Sequence, residues 1–144
     1  MRWVSAFLAG FLATLIFHQG LLALLHAAGA SPRPAYVMTS TPPLGVPQVL
    51  SLAFWGGVWG VALWLVLQSV GASWLYWVSA LVFGAIFPSI VALFVVLPLK
   101  GLPAAGGWNP QLIVGALLLN GAWGIGTALF LRVFGRFVHA GGGS

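Results

Sequence analysis

Few side chains in this sequence could do chemistry. Thr14, His18, His26, Ser89, Asn120 and Thr127 stand in apolar surroundings, and Arg132 and Arg136 form a basic pair at helical spacing. An ionisable group within a membrane helix marks a functional site by default. On a helix His18 lies one turn from Thr14 on the same face, and His26 lies two turns further on, rotated by roughly 80°. Three roles compete for His18: a proton-titrating switch, a haem ligand, or a neutral imidazole bonded to a neighbouring helix. Ligation of one haem by both histidines is geometrically poor, since eight residues at 1.5 Å separate them by about 12 Å along one helix. A single His, or a symmetric pair in a dimer, still fits haem ligation. A proton relay needs carboxylate partners, and Asp plus Glu number 0. The expected role of His18 is therefore a neutral, hydrogen-bonded one. Gln19 and Asn120 add amides able to bond across helices.

The missing residue types remove whole classes of activity. Without Asp or Glu there is no carboxylate acid–base pair, no glycosidase pair, no Ser-His-Asp triad and no carboxylate site for Mg²⁺ or Ca²⁺. Without Cys there is no disulfide framework, thiol nucleophile or thiolate metal site. No catalytic residue and no metal site is assigned. The net charge of +5 does not argue for nucleic acid, because no soluble face interleaves basic and aromatic residues. Gly124-Ile125-Gly126 lies in an apolar run with no strand before it, so it is no dinucleotide fingerprint.

The elements that must position these groups follow from composition. Of 144 residues, 61% are hydrophobic and 3% charged, whereas a soluble domain carries about 25% charged residues. Uncharged apolar runs of about 18 residues or more read as membrane-spanning helices. Four occur, roughly Trp3 to Ala28, Pro47 to Val70, Trp74 to Leu99 and Pro110 to Phe134. The predicted fold is an all-α membrane protein in one domain over residues 1–140. Pro47 and Pro110 suit first helical positions, and Gly71 and Gly101 suit C-terminal caps. The first run also resembles a signal peptide ending near Ala28-Gly29-Ala30, but it exceeds the 7–15-residue core of such a segment. Gly141-Gly142-Gly143-Ser144 resembles an appended linker. Arg2, Arg132 and Arg136 against Arg33 and Lys100 favour cytoplasmic termini, three charges to two. Trp3, Trp74, Tyr76 and Trp77 suit the aromatic belt at one interface, and Tyr36 and Trp108 the other.

An internal repeat runs through the sequence. Val46-Pro47-Gln48-Val49-Leu50 resembles Asn109-Pro110-Gln111-Leu112-Ile113, and Gly57-Val58-Trp59-Gly60-Val61 resembles Gly121-Ala122-Trp123-Gly124-Ile125. Ala6 to Ala13 (AFLAGFLA) more faintly echoes Ala80 to Phe87 (ALVFGAIF). Two tandem helical hairpins would be related by a pseudo-two-fold axis along the membrane normal. Between the first two spans, residues 29–46 carry Pro32, Pro34, Pro42 and Pro43, a density that favours extended backbone. This segment is either a lid across the bundle or a rigid connector. Pro88 inside the third span predicts a bend, with the Ser89 hydroxyl able to recover a freed carbonyl.

Small residues mark the helix contacts. Gly56 and Gly60 have the spacing that lets membrane helices approach closely. On the fourth helix Gly115, Ala122 and Gly126 fall within about 40° of one another, with Asn120, Gly124, Thr127 and Ala128 in the opposite sector. One face can pack within the bundle and the second can seat another subunit or line a crevice. Arg132 and Arg136 can snorkel to lipid headgroups and complement the helix C-terminus.

On Ala6 to Ala13, Leu97-Pro98-Leu99-Lys100-Gly101 and the Gly-rich stretch Asn120 to Thr127, the chain resembles the small YagU-like bacterial inner-membrane proteins. That resemblance implies four membrane helices and supplies no catalytic residue. The leading expectation is a non-enzymatic structural or accessory subunit, joining a larger membrane assembly or itself. A small transporter or channel for a neutral or anionic solute, lined by His18, Ser89, Asn120 and Thr127, is the second, and a haem or pigment-binding subunit the third.

Overall fold

Backbone groups in apolar surroundings must bond to one another, and this chain meets that demand with four long helices. They are α1 (Arg2–Ala27), α2 (Gln48–Leu67), α3 (Trp74–Leu99) and α4 (Pro110–Ala140). The computed structural model describes residues 2–140, with the side chains of residues 2–137. The Gly141–Ser144 segment read as a linker lies outside the described residues. Each long helix has the length and apolar character to cross a bilayer.

The ends of α1 and α3 are closed by the same device. Gly29 and Gly101 both take a φ of +76°, which a glycine adopts without the Cβ penalty of other residues. The Ala30 N–H then donates to the Leu25 carbonyl at 2.8 Å, and the Leu102 N–H to the Leu97 carbonyl at 3.0 Å. Gly101 is thus the expected cap, while Ala28-Gly29-Ala30 forms a helix terminus. Gly71 has no such role, because α2 stops at Leu67, short of the expected Val70. The Ser69 hydroxyl donates to the Val66 carbonyl at 2.8 Å, a side-chain alternative to the next helical bond. Pro47 sits just outside α2, in a two-residue strand β2 (Val46–Pro47) paired antiparallel with β1 (Ser40–Thr41).

Residues 28–47 fold as a strap anchored on α1 and α2. The Tyr36 N–H donates to Gln19 Oε1 at 2.8 Å and the Tyr36 hydroxyl to the Leu15 carbonyl at 2.7 Å. The strap therefore returns beside α1 to a depth of about 18 Å below its end, twelve residues at 1.5 Å each. It then accepts the Gln48 and Val49 N–H groups on the carbonyls of Thr39 and Val37, at 2.9 and 3.0 Å. These bonds satisfy donors that the first turn of α2 would otherwise leave orphaned.

The helices run up, down, up and down. The rings of Trp3 and Trp64 lie 5.1 Å apart, pairing the start of α1 with the end of α2. The rings of Phe94 and Trp108 lie 5.6 Å apart, joining the late part of α3 to the turn before α4. α1 and α4 meet between these two pairs. Arg2, Arg132 and Arg136 belong to the end of the bundle that carries the α2–α3 turn, and Arg33 and Lys100 to the loops at the opposite end.

Close approach of backbones defines both pairs. A Cβ on Gly60 would stand 2.7 Å from the Ala6 carbonyl oxygen and 2.8 Å from the Gly10 Cα. A Cβ on Gly84 would stand 2.6 Å from the Asn120 carbonyl oxygen and 2.8 Å from the Gly124 Cα. No side chain fits at either crossing, and the contacts made there are backbone to backbone. Past these crossings α1 and α3 each loosen into a π-helical turn, at Thr14–His18 and Ala92–Val96. Pro88 is buried within α3 and has no N–H for the Gly84 carbonyl. The irregular turn comes just after it, with the Leu97 N–H reaching back five residues to Ala92.

Gly60→Ala is expected to cost about 1–3 kcal/mol, the usual range for overpacking. Gly115→Ala, where a Cβ meets nothing within 4 Å, is expected to be neutral or to gain up to about 1 kcal/mol from helix propensity. Reversible unfolding in mixed micelles, followed by tryptophan fluorescence, measures both; equal losses would contradict the assigned crossing.

Candidate functional site

The polar residues named from the sequence form three clusters. The first lies where α1, α2 and α4 meet. The Thr14 hydroxyl donates to the Gly10 carbonyl at 2.9 Å, and the Trp123 indole N–H donates to the same oxygen at 3.1 Å. The Thr127 hydroxyl, fully buried, donates to the Trp123 carbonyl at 2.9 Å. A side chain on Gly56 would overlap the Thr14 hydroxyl. The glycine on α2 thus makes room for a threonine on α1.

The second cluster joins α3 to α4. Asn120 Nδ2 donates to Ser89 Oγ at 3.0 Å, so the Ser89 hydroxyl serves as an acceptor across the helix pair. Nearer the terminal end, the Tyr76 hydroxyl donates to the Ala128 carbonyl at 2.7 Å. Tyr76 faces the bundle core with Leu63, Ala80 and Trp123, whereas Trp3 and Trp74 are exposed as belt residues would be. The physical reason is its hydroxyl, which finds a carbonyl on α4.

The third cluster binds the strap. Gln19 Nε2 donates to His18 Nδ1 at 3.1 Å, and Gln19 Oε1 accepts from Tyr36. An Nδ1 that accepts leaves the hydrogen of the neutral ring on Nε2. His18 thus bonds to its sequence neighbour and not to a second helix, because the Gln19 amide is turned toward the strap. His26 Nδ1 donates to the Ser31 carbonyl at 2.8 Å, tying the end of α1 to the start of the same strap.

The small-residue faces are divided among neighbours. Gly56 and Gly60 face α1, and Gly124 faces Ala80 and Gly84 on α3. Gly126 faces Phe17 on α1, where an added Cβ would lie 3.0 Å from the Phe17 Cβ. Ala122 is partly exposed. Gly115 opens onto empty space. The guanidinium of Arg132 lies over the Tyr76 ring at 4.2 Å and near the Trp77 ring at 5.0 Å, a cation–π geometry. Its Nη2 is buried with no hydrogen-bond partner. Arg136 is exposed and shares a shallow surface recess with Ala72 and Gly135.

Gly10, Gly84, Tyr76 and Trp123 carry more of this architecture than the candidate set implied. The faint echo of Ala6 to Ala13 in Ala80 to Phe87 held the signal, for it aligns Gly10 with Gly84. Among the described residues no group of three or more His, Cys, Asp or Glu gathers to hold a metal ion. The arrangement can hold helices together. No protein-family model, curated protein or solved structure matches the chain.

Ser89→Ala and Asn120→Ala are each expected to destabilise the α3–α4 pair by about 0.6 kcal/mol, the average for hydrogen bonds between membrane helices. The double variant should lose no more than the larger single loss. A double-mutant cycle in mixed micelles reads the coupling, and strict additivity would contradict the bond.

Proposed function

We propose that this chain is a non-enzymatic integral membrane protein that works by contact, as a structural or accessory subunit of a larger membrane assembly or of a homo-oligomer. The observation that carries the reading is the division between inside and outside. Thr14, His18, Ser89, Asn120 and Thr127 are all engaged in bonds within the chain. Only 28–39% of each apolar window is buried, and the remaining surface presents large apolar side chains such as Phe54, Trp55, Leu65 and Phe87. Such a surface suits lipid and other membrane helices.

In this reading the chain lies in a bacterial inner membrane with both termini in the cytoplasm, following the small excess of arginine at that end. The two helix pairs are tandem copies about a pseudo-two-fold axis along the membrane normal. Equivalent contacts support this: Gly10 on Gly60 matches Gly84 on Gly124, and the Ala6 carbonyl matches that of Ala80. The resemblance to YagU-like inner-membrane proteins points the same way. A solute pathway draws no support from the residues expected to line it, since each is already bonded to a neighbour. Gly124 is covered by α3 and Gly126 by Phe17 of α1, while Gly115 and part of Ala122 stay open, so docking draws on the outer apolar faces of the helices.

Crosslinking in native membranes, followed by extraction in mild detergent and mass analysis, tests the assignment. A reproducible self- or partner adduct is the expected result, and recovery as a lone monomer overturns it. The absence of native Cys makes orientation equally direct. Ser40→Cys is expected to react with an impermeant maleimide on intact cells, and Ala72→Cys only after permeabilisation. The opposite pattern would reverse the orientation.

A further inference from the structure

Between α1 and α4, at the end of the bundle away from the termini, lies a crevice of about 290 Å³. That is near the lower bound for ligand pockets, about 300 Å³. Its walls are apolar, built by Leu22 and Leu25 of α1 and by Leu112, Leu118 and Leu119 of α4. The strap closes its outer end, where Gln111 Nε2 donates to the Ala30 carbonyl at 3.0 Å. Polarity gathers there and nowhere else along the cleft: Ser31, Arg33, Asn109 and Gln111 form the rim. From Leu119 to Gln111 the wall runs eight residues, about 12 Å along α4.

Two features suit this cleft to an amphiphile. Gly115 forms part of its wall, and a Cβ there would meet nothing within 4 Å, so the space beside it is open. Val114 and Leu118, on the same wall, are more than half exposed. They form a lip through which a chain can enter sideways. At the rim, the Arg33 guanidinium has no carboxylate side chain anywhere in the sequence to pair with. An apolar slot ending at an uncompensated cation is complementary to a hydrocarbon chain carrying an anionic head.

We propose that the α1–α4 crevice is a lipid site, holding one acyl chain of an anionic glycerophospholipid along Leu22, Leu112, Gly115 and Leu119 with its phosphate at Arg33. The site rests on the chain lying in a bilayer and is independent of whether it has a protein partner. The bidentate fork of Arg33 grips the phosphate, while Ser31 and Gln111 offer further hydrogen-bonding groups at the rim. Gly115 is kept small because any larger residue would occupy the chain's place.

Native mass spectrometry of the whole protein, delipidated in detergent and titrated with dioleoyl phosphatidylglycerol or dioleoyl phosphatidylcholine, tests the assignment. The wild type is expected to hold one phosphatidylglycerol at least tenfold more tightly than phosphatidylcholine. Gly115→Leu should lose the bound lipid while its circular dichroism and thermal unfolding stay those of a folded bundle. Arg33→Gln, in an exposed loop, should abolish the preference and leave equal weak binding of both lipids. Glycerol 3-phosphate at the same concentration should fail to displace the lipid, because the acyl chain supplies most of the contact. No preference in the wild type, wild-type binding by Gly115→Leu, displacement by glycerol 3-phosphate, or loss of the preference in Arg136→Gln instead of Arg33→Gln would each overturn the proposal. Loss of the lipid site would leave the crosslinking result of the preceding section unaffected, so the two readings fail separately.

Discussion

Two helices in a bilayer gain little by hiding apolar side chains from their surroundings, since lipid tails are as apolar as leucine. Adhesion there must come from contact, and in this chain, whose four helices are long and apolar enough for a bilayer, the approach is closest where backbone meets backbone, Gly10 on Gly60 and Gly84 on Gly124. The remaining geometry follows from these crossings. With α1 drawn against α2, the Thr14 hydroxyl finds room beside Gly56, and the Gly10 carbonyl can receive the Trp123 indole from α4. With α3 drawn against α4, Ser89 comes within reach of Asn120 and Tyr76 within reach of the Ala128 carbonyl. The hydrogen bonds are individually small. Their role is to fix rotation and register once the glycines have set the distance.

The same logic explains where the chain departs from regularity. The π turn of α1 begins at Thr14, one turn past the crossing, and there the strap docks through Tyr36. Non-helical backbone at that depth is tolerated when its polar groups find partners in the protein. Gln19 supplies one such partner, and the start of α2 supplies two donors in return. Farther along, α1 and α4 are separated by the apolar crevice and rejoined at its rim by the bond from Gln111 to Ala30. Tight crossings near the middle of the bundle and a cleft near its end thus belong to one arrangement.

Much of this was legible in the sequence, for reasons of scale. Hydropathy over about 20 residues reports a span, so α3 was placed at its observed limits and α1 and α2 within three residues, whereas α4 runs six residues past the expected Phe134, to Ala140. Gly101 was readable because a glycine after a helical run has a local meaning. The end of α2 was less visible, since it turns on whether one serine hydroxyl bonds back to Val66. The strap was hidden for a different reason. Proline density reports extended backbone but not where it goes, and its anchors at Gln19 and Leu15 are seventeen and twenty-one residues away in sequence. Tyr76 and Gln19 looked like belt and cross-helix residues by type, and only tertiary placement turns one inward and the other toward a loop. For Gly10 and Gly84 the repeat carried the information, in a similarity too faint to rank them above Gly115.

Magic-angle-spinning NMR of the protein in lipid bilayers, with glycine Cα carbons labelled, tests the glycine crossings without perturbing them. The expected spectrum contains interhelix cross-peaks between Gly10 and Gly60 and between Gly84 and Gly124, with none from Gly115. Absence of both interhelix peaks in well-folded samples, or a Gly115 contact in their place, would contradict the packing on which the whole account is built.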